Sequence, residues 1–231
     1  MSNIFQTDAF SLIVVMVGMS LLPFLAMVAT SYLKIVVVMS LVRNALGVQS
    51  IPPNMVINAL ALILTLYVMA PVIGEGWDAM REKTKDKTAV AVVYETDLMM
   101  EAAEPFRAFL ERNVDEKQRA FFVKTAEKLW AKRRIDANGK AVVIPAKVDE
   151  RSFYILLPAF CVSELATAFE VGFLVYLPFI VVDLIISNIL LAMGMMMVSP
   201  VTISIPFKLL LFVMVSGWSR LIQSLVQCYV M

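Results

Sequence analysis

The sequence contains no histidine and only two cysteines, and these scarcities exclude several kinds of site. Without histidine there is no Ser-His or Cys-His catalytic pair and no metal site with a histidine ligand. Cys161 and Cys228 both lie in apolar stretches, so we expect buried, unreactive thiols rather than a disulfide framework. The net charge is only +1, so no bulk attraction to nucleic acid is implied. We therefore expect no chemistry that depends on histidine, and we expect no cofactor.

Charged residues are scarce outside one central segment. The 231-residue chain is 60% hydrophobic, with a mean hydropathy of +0.81, whereas globular domains are roughly 45–50% apolar. Residues 75–151 hold 16 of the 20 Lys and Arg residues and 15 of the 19 Asp and Glu residues. We predict an all-α, membrane-type protein of bent helical hairpins. Its parts are a first apolar hairpin at 1–74, a polar, mainly helical, extracytoplasmic insertion at 75–151, and a second apolar block at 152–231.

The first apolar block predicts two arms of a helical hairpin. Its first apolar run, about 10–42, exceeds the roughly 20 residues that span a bilayer. Because Pro23 interrupts this run, we expect a kinked helix or two helices. Residues 1–9 carry no Lys or Arg, so we expect the first apolar segment to be retained rather than cleaved as a signal peptide. Residues 55–73 form the second arm, and Pro71 and Gly74 are expected to end it.

The polar insertion and the second apolar block are also predicted to be mainly helical. Within the insertion we expect helices at about 97–112 and 115–134, a turn at Asn138-Gly139, and a short strand or extended piece at 141–144. The insertion is small, so its stability is expected to depend on packing against copies or partners.

The second block is too long for one span. We expect a break between Gly172 and Pro178, a helix from there to Met197, and a last helix from Phe207 to about Tyr229.

Basic residues near the short turns predict an orientation in the membrane. Lys34 and Arg43 flank the first turn, and Lys208 flanks the last. The positive-inside rule places both turns in the cytoplasm, so the insertion and both termini are expected on the other side.

Several charges lie inside the apolar blocks, where they are too costly to leave facing lipid. They are expected to form structural ion pairs: Lys34, Arg43, Glu164, Glu170, Asp183 and Lys208. For Lys34 we expect a partner such as Glu170 or Glu164 of a neighbouring copy. The alternative is a small-solute or ion transporter whose coupling groups are Glu164, Glu170 and Asp183. An intramembrane enzyme is disfavoured because no paired-aspartate motif is visible.

A cluster of methionines lies at the end of the second apolar block. It comprises Met193, Met195, Met196 and Met197. Gly194 relaxes the helix and Pro200 ends it, so with Pro23 and Pro178 these are the expected helix breaks. Flexible thioethers at a helix end could plug an opening that must sometimes yield, although core packing is an alternative. A Cu(I) site is a further alternative, but consecutive side chains on a helix point in different directions.

Two blocks of residues resemble the SctR/FliP family of export-gate subunits in type III secretion and flagellar export. The first block is Leu22-Pro23-Phe24, Thr30-Ser31, Lys34-Ile35-Val36-Val37-Val38, Arg43-Asn44-Ala45-Leu46-Gly47-Val48-Gln49 and Pro52-Pro53-Asn54. The second is Ser163-Glu164-Leu165, Ala168-Phe169, Gly172-Phe173, Tyr176-Leu177-Pro178-Phe179, Asp183 and Met193-Gly194-Met195-Met196-Met197-Val198-Ser199-Pro200. Phe207-Lys208 and Gly217-Trp218 resemble the virulence branch more than the flagellar branch. The expectation that the first apolar segment is retained agrees with the same branch.

The resemblance implies a function that spacing alone does not. Family members form a ring of five copies with SctS/FliQ-like and SctT/FliR-like subunits, inside a wider export apparatus with its needle or rod base. The assembly belongs to the bacterial inner membrane, with its core raised toward the periplasm, and it passes unfolded proteins. The resemblance implies that the methionine cluster is a gasket around the pore and that the chain catalyses no reaction.

Overall fold

The computed structural model describes residues 9–48, 51–83, 103–135, 141–144, 146–195 and 197–230. Within these residues the chain forms eight α-helices and one two-stranded hairpin. The helices are α1 (Ala9–Val28), α2 (Tyr32–Ala45), α3 (Asn54–Lys83), α4 (Glu104–Asn113), α5 (Glu116–Leu129), α6 (Phe153–Ala192), α7 (Pro200–Met214) and α8 (Gly217–Gln227). Strands β1 (Lys132–Ile135) and β2 (Ala141–Ile144) pair antiparallel. The predicted all-α, membrane-type fold is confirmed, and the short strand predicted at 141–144 is β2.

The break in the first apolar run lies after α1, not at Pro23. Helix α1 continues through Pro23, and α2 then leaves at an angle of 57°. Thr30 lies at the bend, where its hydroxyl donates to the Ala26 carbonyl at 2.6 Å and accepts the Tyr32 N–H at 3.4 Å. A threonine that bonds to the preceding turn competes with the backbone ladder and bends helices. The expected division of this run into two helices is confirmed, but it lies at Thr30 rather than at Pro23. The side-chain bonds of Thr30 account for where the bend occurs.

Helix α3 extends well beyond its predicted end. It runs through Pro71 and Gly74 to Lys83, across the boundary drawn at residue 74. A proline inside a helix removes one backbone hydrogen bond, and here the turns on either side of it remain helical. The division into 1–74, 75–151 and 152–231 remains a prediction.

Helix α6 is one helix of 40 residues, so the predicted break between Gly172 and Pro178 is wrong. At a rise of 1.5 Å per residue it is about 60 Å long, roughly twice the hydrocarbon thickness of a bilayer. Gly172 permits close helix packing instead, because a Cβ there would overlap the Leu41 side chain of α2. Pro178 lies inside the helix, which loses one backbone hydrogen bond there and continues.

The predicted last helix is divided into α7 and α8, which meet at 59°. Ser216 adopts a left-handed conformation with a φ of 54°. The Phe212 ring lies against Gly217, where any Cβ would overlap it, and packs edge-on to Trp218 at 5.5 Å between centroids. The left-handed residue and the ring over the glycine explain why one helix does not continue through this point.

The helices of the insertion pack on the apolar blocks of their own chain. Helices α4 and α5 are shorter than predicted, and the turn expected at Asn138-Gly139 lies outside the described residues. Phe109 and Leu110 of α4 are buried with Met69 of α3 and with two residues of α6, Leu156 and Phe160. Packing of the insertion against copies of itself remains a prediction.

Polar contacts also attach the insertion to the start of α6. Arg151 bonds to Glu111 at 2.6 Å and to Glu104 at 3.0 Å. The hydrogen bond to Glu111 is the main cause of the raised pKa of the Arg151 guanidinium.

Helix α2 forms the centre of the main core. Its residues Ile35, Val38 and Val42 are fully buried among α3, α6, α7 and α8. Among the described residues, α3 and α6 are each long and apolar enough to cross a membrane. The number of candidate spans rises to four if α1–α2 and α7–α8 each count as one bent span.

Candidate functional site: the methionine segment and the interior ion pairs

The methionine segment, residues 193–197, begins where α6 ends in a tight C-terminal cap. The N–H of Gly194 donates to the Leu191 carbonyl at 3.0 Å, and the N–H of Met195 donates to the Leu190 carbonyl at 2.9 Å. This pair of bonds is a Schellman motif, which requires a left-handed residue at the position of Gly194. Gly194 has a φ of +71°, which glycine adopts without steric cost. Gly194 thus ends α6 before the predicted end at Met197, and Pro200 lies in the first turn of α7 rather than ending α6.

The methionine side chains face outward in the single chain. The exposed fractions of Met193, Met195 and Met197 are 67%, 42% and 101%, and Met196 lies outside the described residues. Flexible apolar side chains with this much exposure do not pack the core of their own chain. The segment lies at the end of α6 opposite to the packed insertion, about 50 Å away along the helix from Leu156.

A buried ion pair joins the first apolar block to the second. The Lys34 ammonium lies 2.7 Å from Glu164 Oε1, and these residues are only 5% and 1% exposed. The Tyr229 hydroxyl donates to the other carboxylate oxygen, and Lys34 Nζ lies 4.4 Å from the centroid of the Tyr229 ring. The prediction of an acidic partner for Lys34 agrees with this geometry, but the pair forms within one chain rather than with a neighbouring copy. Tyr229 was not singled out from the sequence, where it is only one aromatic residue near the end of the last helix.

A second ion pair joins α6 to α7. Lys208 Nζ lies 2.6 Å from Asp183 Oδ2, and the Ser204 hydroxyl donates to Asp183 Oδ1 at 2.5 Å. Lys208 is 3% exposed, so its charge depends on this partner. The methionine segment connects α6 to α7, and the two residues of the pair lie on either side of it in the sequence. The pair therefore holds the two connected helices together.

Arg43 and Glu170 do not form the ion pairs expected of them among the described residues. The Arg43 guanidinium donates to the Pro52 carbonyl at 3.3 Å and to the Asn54 side chain, so it braces the turn between α2 and α3. Its partners are close in sequence and neutral. Glu170 lies exposed on α6, because the buried side of that helix faces α2.

The positions of the acids disfavour the transporter alternative. Glu164 and Asp183 are paired with lysines, and 19 residues of helix separate them along the axis by about 28 Å. Coupling groups at one site within a single chain would have to lie close together.

The chain matches the FliP family model over residues 15–225. It belongs to the FliP family.

The resemblance inferred from the two sequence blocks is therefore confirmed. The chain is 50% identical over 222 residues to "Yop proteins translocation protein R" of Yersinia pestis, covering 96% of this chain and 97% of the relative. It is 45% identical over 219 residues to "Hypersensitivity response secretion protein HrcR" of Ralstonia nicotianae, covering 95% and 96%. It is 42% identical over 214 residues to "Virulence protein YscR" of Salmonella typhimurium, covering 91% and 92%. The names of these relatives refer to translocation, secretion and virulence.

Proposed function

We propose that this chain is a core subunit of a type III secretion export gate in the bacterial inner membrane. With SctS-like and SctT-like partners it forms a pore that passes unfolded proteins, and the methionine segment is the gasket of that pore. The observation that carries the proposal is the outward-facing methionine segment at the end of α6 in a chain that matches the FliP family almost throughout. The names of its relatives support a role in secretion and virulence rather than in metabolism.

A gasket of methionines has a physical rationale. In a ring of five copies, each exposed methionine position would supply five thioethers around one opening. Their apolar surface disfavours water in a narrow constriction, and their flexible side chains can part for a passing polypeptide and close again. The Schellman cap and the Pro200 turn fix the backbone on both sides of the segment. The side chains can then move without unfolding the helices that carry them.

Large apolar surfaces support assembly with copies and partners. Exposed aliphatic and aromatic residues continue along α3, α6 and α7, including Tyr67, Phe173 and Phe207. Monomeric soluble proteins rarely expose contiguous apolar patches larger than a few hundred Å². Such faces are suited to lipid or to other subunits, as expected for a membrane-embedded assembly.

Replacing Met195, Met196 and Met197 together with alanine is expected to leave assembly intact and to make the closed gate leak. The shorter side chains would no longer fill the constriction, so ions and small molecules would pass. The measurement is membrane permeability in cells that express the variant assembly with no substrate in transit.

A matched control replaces three exposed methionines elsewhere, Met16, Met19 and Met55, with alanine. Cells that express this control should keep a membrane as tight as that of cells with the wild-type assembly. A tight membrane in the gate variant, together with normal complex formation, would mean that the methionines do not form the seal.

We also propose that the insertion and both termini lie on the periplasmic side. The support is the positive-inside rule applied to Lys34, Arg43 and Lys208. The test uses a chain in which Cys161 and Cys228 are replaced by serine and one new cysteine is added. A cysteine at Lys124, exposed on α5, should react with an impermeant maleimide in cells with a permeabilised outer membrane.

The paired variant places the cysteine at Ile51, which is 71% exposed in the turn between α2 and α3. It should react only after the inner membrane is opened. The reverse pattern at the two positions would invert the proposed topology.

A further inference from the structure

Apart from Arg43, which braces the turn between α2 and α3, two charged side chains of the apolar blocks form no ion pair within the described residues. Glu170 is exposed on α6 and Arg220 is exposed on α8. The lysines and the other two acids of α6 are already paired within the chain. A charge left in apolar surroundings is costly, so the remaining acid and base require either water or a partner of opposite sign.

A ridge of exposed apolar side chains winds along α6 and passes beside Glu170. The ridge consists of exposed residues spaced by four, Leu165, Phe169, Phe173, Leu177, Val181, Ile185 and Ile189. Side chains in such a row form the ridge that packs into a groove of another helical surface. Helix α6 therefore offers an exposed apolar ridge with one acid at its side.

Arg220 lies in a groove, so the base is in a concave surface, whereas the acid Glu170 is beside a ridge. A groove of about 510 Å³ runs between α6 and the α7–α8 pair. Its apolar walls include Leu174 and Val175 on one side and Leu221 and Leu225 on the other, and Arg220 is the charged residue among those that line it. The groove therefore offers apolar walls and one base, where the ridge offers apolar side chains and one acid.

We propose that the α6 ridge of one copy inserts into the groove of the next copy, where Glu170 pairs with Arg220. The inference rests on the proposed function, which requires several copies of the chain. Ridge and groove are different surfaces, so the contact is heterologous and produces a ring when its rotation closes. Each interface then contains one acid and one base, which offset the cost of removing each other from water. Charge complementarity selects a second copy as the occupant of the groove.

Cross-linking between differently tagged copies tests the pairing directly. Cys161 and Cys228 are first replaced by serine. One tagged chain then carries Glu170→Cys, the other carries Arg220→Cys, and both are expressed together with the partner subunits. A short bifunctional maleimide is expected to yield a linked species that contains both tags, because each chain has only one cysteine. Rings that form without this mixed species would overturn the pairing and leave the gate proposal standing. Wild-type chains that never assemble beyond one copy would overturn both.

Charge reversal provides a second, independent test. Glu170→Arg and Arg220→Glu should each raise the dissociation constant of the interface by at least about 30-fold, so that rings are lost. The two changes in one chain should restore rings. Glu116→Arg on α5 and Gln223→Glu on α8, both at exposed positions, are the matched controls and should assemble normally. Normal rings in both single variants, or no restoration in the double variant, would overturn the proposal.

Discussion

Replacing Lys34 with methionine is expected to lower the free energy of unfolding by about 3–5 kcal/mol. Methionine keeps most of the length and apolar surface of lysine but removes its charge. Glu164, which is 1% exposed, would then be a buried carboxylate with only the Tyr229 hydroxyl as its partner. An uncompensated buried charge costs more than the net contribution of the intact pair. The measurement is denaturant unfolding of the purified chain in detergent.

Three variants distinguish the loss of charge pairing from the loss of packing. Glu164→Gln added to Lys34→Met should recover much of the loss, because neither side chain is then charged. Exchange of the two charges, Lys34→Glu with Glu164→Lys, should restore part of it. Tyr229→Phe keeps the ring and removes one hydrogen bond to a charged group, so it should cost about 2 kcal/mol.

Tyr154→Phe is the control for this last change, because Tyr154 is 80% exposed and should tolerate the substitution. If the Lys34→Met variant unfolds at the same denaturant concentration as the wild-type chain, the pair of Lys34 and Glu164 makes no contribution to the free energy of unfolding.

Replacing Gly172 with leucine is expected to cost about 3 kcal/mol or more, because it forces α2 away from α6. A Cβ at Gly172 would overlap the Leu41 side chain and lie 3.2 Å from Leu41 Cβ, which is close to the α2 backbone and cannot rotate away. The remaining side-chain atoms of leucine would also have to enter the interface between α2 and α6. The measurement is the melting temperature of the purified chain in detergent, with helix content followed by circular dichroism.

Gly74 provides a control, because leucine at this position is not expected to lower the stability of the chain. It also lies inside a long helix, α3, but a Cβ there would have nothing within 4 Å. Leucine has a better helix propensity than glycine, so Gly74→Leu should be neutral or stabilise the chain by up to about 1 kcal/mol. Equal effects at Gly172 and Gly74 would show that helix propensity, rather than the close contact of α2 and α6, determines the result.

The positions of prolines and glycines predicted helix ends only where the backbone geometry requires them. Gly194 marks a real helix end because its φ is left-handed, whereas Pro200 begins α7 rather than ending α6. Pro23 and Pro178 lie within continuous helices, where each costs one hydrogen bond that neighbouring turns and packing offset. The bend at Thr30 and the left-handed Ser216 depend on contacts with the preceding turn and with Phe212, which a local pattern does not reveal.

The sequence predicted that the buried lysines need acidic partners, but it did not predict which acids these are. The cost of a charge in an apolar segment predicted that Lys34 and Lys208 require acids. Which acids they use depends on how α2 and α7 pack against α6, because the partners are far apart in sequence. The same packing explains why Arg43 braces a turn and why Glu170 faces outward.

The sequence by itself determined the helical, membrane-type class, the family, the residues of the methionine segment and the glycine and proline that bound it. These follow from composition, from local backbone preferences and from motifs, all of which act over a few neighbouring residues. Only the tertiary structure decided that α6 is unbroken, that Glu164 binds Lys34 and Tyr229, and that Met193 and Met197 face outward. These outcomes depend on which surfaces meet when distant helices pack, because burial and pairing are properties of the assembled helices rather than of any one segment.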